Sequence, residues 1–132
     1  MLKEFNISTS DRNEFIDITY LIKKYLTENK IDNGIAVVFT PHTTAGITIN
    51  ENADPAVKKD MKSFLSKLIP KESYFTHLEG NSDSHIKSTL VGPSLTLIIK
   101  DNDLLLGTWQ GVYFCEFDGP RRRKFYVKLI KG

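Results

Sequence analysis

Strand-like runs dominate the second half of the chain: Ser94–Lys100, Asp103–Leu106, Tyr113–Phe117 and Lys124–Ile130 follow one another with only short connections between them. Runs spaced this closely reach their neighbours by reversing direction, which predicts antiparallel pairing in meander order. Earlier, Leu2, Phe5 and Ile7 mark an extended opening, and Gly46–Asn50 reads as another strand. Ile35–Phe39 is apolar on both faces, as a central strand is. Two helical stripes interrupt the strands. Phe15, Ile18, Ile22 and Tyr25 recur at offsets of three and four, behind Ser10 or Asp11 as cap and Glu14 at the capping-box offset from Asp11. Val57, Met61, Phe64, Leu65 and Leu68 repeat the pattern behind an Asp54 cap and Pro55, until Pro70 stops it. From Tyr74 to Thr89 the chain is polar and only weakly periodic. The expectation is an α+β fold, two helices packed on a mainly antiparallel sheet, as one domain over residues 1–132.

A chain of 132 residues buries about two-thirds of its extended surface, enough for one core without staples. Hydrophobic residues at 40% and charged ones at 26% exclude a disordered chain, and a net charge of +2 is no footprint for nucleic acid. Met1–Ser10 lacks the basic-then-apolar pattern of a secretory signal, and no apolar run is long enough to span a bilayer. The single Cys115 sits in a strand-like run and reads as a buried, inert thiol. A cytoplasmic protein with no membrane or nucleic-acid partner is expected.

All three histidines fall in short polar contexts: Pro41-His42-Thr43-Thr44, Thr76-His77-Leu78-Glu79-Gly80-Asn81 and Asp83-Ser84-His85. Neutral imidazole is the commonest metal ligand and the side chain that titrates nearest neutrality. Meeting at one point, three of them form a Zn²⁺-type site with an open fourth position. Glu51, Asp54, Glu79 and Asp83 are acceptors that orient imidazoles, although Asp54 also serves as a cap. The competing reading is three ordinary loop residues, because the spacing of His77 and His85 matches neither a zincin helix nor a finger.

Two further segments carry chemistry. Gly107-Thr108-Trp109-Gln110-Gly111 is a turn holding the only tryptophan, a face on which a ring stacks, with Thr108 and Gln110 as donors and acceptors. The alternative is a packed turn with Trp109 over the core's edge. Residues 119–132 hold six basic side chains and no acidic one. Arg121 and Arg123 suit bidentate phosphate or carboxylate binding, while the plainer reading is a charged edge strand that resists aggregation.

In order along the chain, Pro41–Ala45, Asn50–Pro55, His77 with Gly80-Asn81 and Asp83–His85, Leu106–Gln110 and Glu116–Arg123 together resemble the YjbQ-like family. These small bacterial and archaeal proteins are associated with a secondary thiamine-phosphate synthase activity. Ser84 stands where the family pattern has alanine, a small-for-small change. The resemblance implies an α/β sandwich assembling as a homotrimer, with polar clefts near subunit boundaries. It implies that His42, His77 and His85 converge as a metal or catalytic cluster; side-chain chemistry adds Glu51 and Arg121 as catalytic candidates. Thr43, Thr44, Asn81, Thr108, Trp109, Gln110 and Arg123 are then the substrate-binding candidates.

The implied reaction joins an aminopyrimidine methyl diphosphate to a thiazole phosphate and expels diphosphate. Cationic groups must meet the charge growing on the leaving group, a role for Arg121 with Arg123 or a metal. Mg²⁺ accompanies diphosphate but prefers oxygen ligands, whereas three imidazoles favour Zn²⁺. Two alternatives stand beside it: a metal-dependent hydrolase with Glu51 or Glu79 as base, and a non-enzymatic trimer binding a small anionic metabolite.

Overall fold

A computed structural model describes residues 1–132. In chain order the elements are β1 (Leu2–Ser8), β2 (Glu14–Asp17), α1 (Thr19–Asn29), β3 (Gly34–Phe39), β4 (Ala45–Glu51), α2 (Pro55–Leu68), α3 (Ser82–Val91), β5 (Ser94–Lys100), β6 (Asp103–Leu104), β7 (Gln110–Glu116) and β8 (Arg122–Lys131). Every strand pair is antiparallel. Five strands form one sheet in the order β1-β8-β3-β5-β6, and three form a second in the order β2-β7-β4. This is an α+β fold.

The two sheets share one core. Ala36, Val38, Leu97, Ile99, Phe125, Val127 and Leu129 from the large sheet meet Ile47, Val112 and Phe114 from the small one. Ile18, Ile22 and Leu26, on and just before α1, join the same cluster. Behind the small sheet, Phe15, Tyr113, Cys115 and Phe117 form a second cluster with Met61 and Leu65 of α2 and Val91 of α3. Cys115 is fully buried there, and burial pushes its thiol pKa far up, so it is inert as expected. No helix is long and apolar enough to cross a membrane.

Four expectations need correction. There are three helices, not two. α3 escaped the periodicity reading because its buried face is polar: Asp83, Ser84, Lys87 and Ser88 recur at helical spacing but carry no apolar stripe. The first helix starts at Thr19, since Glu14–Asp17 pairs with β7 as a strand. Glu14 still bonds the Ser10 N–H at 2.8 Å, but in a turn, while Asp17 accepts from the Thr19 N–H at 2.9 Å at the real helix entrance. The late strands form no continuous meander. Only β5 and β6 are a hairpin, turned at Asp101 and Asn102 with φ of 53° and 58°. β7 departs to the small sheet, and β8 returns between β1 and β3. Lastly, β8 is not an edge strand, so its basic tract has no edge-protecting role.

β3 is central, but only Ala36 and Val38 of its apolar set are fully buried. Ile35, paired with Ile98 on one side and Ile130 on the other, forms a row on the opposite face. Ile98 and Ile130 are 56% and 44% exposed, so the outer face of the large sheet has no cover from its own chain.

Candidate functional site

A polar cleft of about 250 Å³ opens where the β3–β4 loop, the α2–α3 connection, the first turns of α3 and the start of β8 converge. Its walls include His42, Thr43, Thr44, His77, Asn81 and His85, together with Glu79, Arg121 and Arg123, and no hydrophobic residue lines it. The three imidazoles that lie far apart in sequence thus share one hollow with two guanidinium groups.

Arg123 forms the floor. Its Nε donates to Glu116 Oε1 at 2.9 Å, Nη2 bonds Glu116 Oε2, and Nη2 also donates to Thr44 Oγ1 at 2.7 Å. Glu116 is fully buried and further accepts from Thr9 Oγ1 at 2.7 Å and the Asp118 N–H at 3.0 Å. Burial works against the Glu116 carboxylate, but the Arg123, Asp118 and Thr9 hydrogen bonds outweigh it and hold its pKa below the usual range. Arg123 Nη1 makes none of these bonds.

Arg121 is held side-on by Asp118, with Nε on the Asp118 carbonyl and Nη2 on Oδ2, both at 2.9 Å. The same Asp118 Oδ2 accepts from Asn81 Nδ2 at 2.7 Å, which fixes the amide's orientation. Asn81 Oδ1 is buried without a partner in the chain. Deeper in, Arg12 grips Asp83 at 2.9 and 3.1 Å, and the buried Lys87 Nζ lies 3.6 Å from Asp83. Burial disfavours the Asp83 carboxylate, yet the hydrogen bond and charge of Arg12 hold its pKa below the usual value. This network locks the polar face of α3 in place and so sets His85.

His42 Nε2 accepts the Lys124 backbone N–H at 3.0 Å. A neutral imidazole has one N–H, so the proton of His42 sits on Nδ1. Burial, followed by the charge of Arg123, lowers the His42 pKa from its ordinary 6.5. The ring is therefore a neutral N–H donor, with its Nε2 lone pair already committed. The unfolded chain takes up this proton first on acidification. The contribution of His42 to stability is hence complete above about pH 6.5 and is lost as pH falls below it toward the folded value. In ¹⁵N–¹H spectra His42 is expected to titrate below its ordinary 6.5 and to show the Nδ1–H tautomer, and an Nε2–H pattern would refute this assignment.

His77 and His85 stand edge to face, ring centroids 5.2 Å apart, and His77 Nε2 is 3.9 Å from Glu79 Oε1. No group of three or more His, Cys, Asp or Glu side chains is arranged to hold a metal. His42 Nε2 is taken by a backbone donor, so the expected three-imidazole cage has no free Nε2 on His42 to use. For Mg²⁺, which wants oxygen, the cleft has one carboxylate, Glu79.

The other candidates lie elsewhere. In the β4–β7 pair, Ala45 faces Glu116 at the cleft end and Glu51 faces Gln110 at the other. At ~3.4 Å per residue, Glu51, Thr108, Trp109 and Gln110 are about 20 Å from the arginine floor of the same chain. There they form a separate, rigid group. The Asn52 N–H donates to the Trp109 carbonyl at 2.9 Å, Gln110 Oε1 accepts from the Gly107 N–H at 2.7 Å, and Tyr113 OH reaches the Glu51 carbonyl at 3.0 Å. A Cβ at Gly111 would stand 2.5 Å from Asn52 Nδ2, so a larger residue there would displace the Asn52 side chain. Trp109 is 62% exposed, so it does not cover the core's edge.

Sequence reading passed over Glu116 and Asp118, which anchor both arginines. The signal was present: an acidic residue inside the apolar run Val112–Phe117, seven residues before an arginine across a turn.

The family pattern described as "UPF0047 protein YjbQ-like" matches residues 3–132. A UPF0047 protein of Methanocaldococcus jannaschii is 65% identical over 130 residues, covering 98% of this chain and 94% of that protein. The UPF0047 protein YugU of Bacillus subtilis is 52% identical over 131 residues, with 98% and 99% coverage. A crystal structure of a YjbQ/UPF0047 family protein from Clostridium acetobutylicum superimposes with a TM-score of 0.95 at 55% identity, covering 97% of this chain and 99% of that one.

Proposed function

Since the chain belongs to the UPF0047 YjbQ-like family, we propose that its histidine–arginine cleft binds a phosphorylated small molecule and promotes departure of the phosphate or diphosphate group. The observation that carries this reading is the convergence of Arg121, Arg123 and the neutral N–H donor His42 in a hollow without apolar lining. Guanidinium groups aimed at phosphate oxygens stabilise the charge that grows on a leaving group. The specific reaction is thiamine-phosphate synthesis. The thiazole nitrogen forms a bond to the pyrimidine methylene as its C–O bond breaks, and diphosphate leaves with the electron pair. No step runs through a metal. Trp109 stacks a ring in this reaction only where a neighbouring subunit brings it to the cleft.

One observation favours a second reading. The His77–Glu79 pair is an imidazole beside a carboxylate, suited to activating water, so hydrolysis of a phosphate ester is the runner-up. We also propose that the chain works as a homotrimer, for which the uncovered isoleucine row of the large sheet is the support.

Diphosphate titration and steady-state assays with the pyrimidine diphosphate and thiazole phosphate test this. Arg121→Ala is expected to weaken diphosphate binding about tenfold. In the hydrolytic reading, His77→Ala lowers turnover of a phosphate ester about 100-fold while synthase turnover changes little. Wild-type affinity for diphosphate retained by Arg121→Ala would sink the placement of the anion.

A further inference from the structure

Beside the phosphate cleft lies a second hollow of about 470 Å³, and His42, Thr43 and His85 belong to the walls of both. Three of its hydroxyls have the opposite hydrogen-bonding character. A hydroxyl has one proton to give. Thr40 Oγ1 gives it to the Lys124 carbonyl at 3.1 Å, Ser88 Oγ to the Ala45 carbonyl at 2.6 Å, and Thr89 Oγ1 to the His85 carbonyl at 2.9 Å. What these three oxygens have left is lone pairs. Pro41 and Pro93 have no N–H, and the Thr40 N–H is spent on the Pro93 carbonyl at 2.9 Å. The Thr43 hydroxyl makes no bond to the chain, and the shared imidazoles are the other donors.

Resting on the reading of the neighbouring cleft as a phosphate site, we infer that this hollow seats the non-phosphate body of the ligand and selects bodies that donate hydrogen bonds through amino, ring N–H or hydroxyl groups. The size suits a small ring, within the range of small-molecule sites. Pro41, Pro93 and Phe39 supply apolar wall for its faces. At Ser88, as distinct from the Thr43 hydroxyl and the imidazoles, selection follows from what an acceptor group placed there would force. To donate to it, Ser88, 8% exposed, must turn its proton away from Ala45, leaving a buried carbonyl unpaired. A donor-bearing ligand asks for no such change. The two hollows therefore read a bipartite molecule: an anion met by guanidinium donors, and a body met by hydroxyl acceptors.

The test compares two probes by calorimetric titration, 3-aminobenzyl phosphate and 3-methylbenzyl phosphate, which differ by NH₂ for CH₃ at nearly constant shape, with inorganic phosphate beside them. The amino probe is expected to bind about tenfold more tightly than the methyl probe. Thr89→Val, at an exposed helical position, is expected to narrow that ratio severalfold, and Ser88→Ala to narrow it further. The ratio is internal to each variant, so a uniform loss of folded protein leaves it unchanged. Equal or reversed affinities of the two probes, with phosphate itself bound, overturn the acceptor subsite and leave the phosphate site standing. Failure of all three probes to bind overturns the phosphate site and the subsite together.

Discussion

Glu116→Ala is expected to cost about 3–5 kcal/mol of stability and to lower the urea midpoint by about 2 M. Glu116 is fully buried, and its carboxylate accepts from Arg123, Thr9 and the Asp118 N–H. Removing it leaves Arg123, itself 3% exposed, as a buried cation without a counter-charge. The comparison that separates charge from packing is the pair Glu116→Leu with Arg123→Met, which removes both charges and is expected to recover most of the loss. That paired variant should still bind phosphate poorly, since the cleft has lost one of its two guanidinium groups. Because the folded pKa of Glu116 lies below its ordinary 4.5, its contribution is present above that pH and disappears as pH falls through the folded value. Acid unfolding of Glu116→Ala should accordingly show a shallower pH dependence below about pH 4.5 than wild type. A loss under 1 kcal/mol for Glu116→Ala would mean that the pair is not sealed from water.

Ile35→Lys is expected to convert the proposed homotrimer into single chains of 15.0 kDa. Ile35 sits between Ile98 and Ile130 on the face of the large sheet that no helix covers. In an isolated chain a lysine there extends into solvent and costs the fold little. In a homotrimer closed through this face, each interface would have to bury an ammonium group unpaired, which costs several kcal/mol per site. Sedimentation equilibrium reads the mass, and far-UV circular dichroism shows whether the dissociated chain keeps its fold. A trimer mass retained by the variant would move the interface elsewhere. A wild-type protein that sediments as a single chain would remove the trimer altogether.

The sequence made some of this legible and hid the rest for reasons that can be named. α2 was readable because Val57, Met61, Phe64, Leu65 and Leu68 form an apolar stripe behind a true Asp54 cap, whose carboxylate accepts the Ala56 N–H at 2.9 Å. α3 was not, because its packed face is held by ions and hydroxyls: Ser84 Oγ donates to the Phe117 carbonyl at 2.5 Å, Ser88 Oγ to that of Ala45, and Asp83 binds Arg12. Hydrophobic periodicity cannot detect a buried polar face. β2 was hidden because Phe15 and Ile18 also fit helical offsets, and pairing with β7 decides between the two. Within the candidate site, His42, His77, His85, Arg121 and Arg123 were named from local context and do line one hollow. Glu51 and Trp109 were named beside them and lie at the far end of β4 and β7, because motif order along a chain does not say which ends of antiparallel strands face each other.

By itself, then, the sequence determined most of the extended segments, the presence of two of the helices, that Cys115 is inert, and a set of polar candidates that includes those lining the cleft. These are local properties, set by the period of apolar residues and by turn and cap chemistry within a few positions. Partnership is different. A period of two tells which face a strand buries but not which strand lies beside it. Only the tertiary structure placed β8 between β1 and β3, which puts the Lys124 N–H on His42 and Arg123 against Glu116 and Thr44. That contact, spanning about eighty residues of chain, turned His42 from a metal-ligand candidate into a neutral donor.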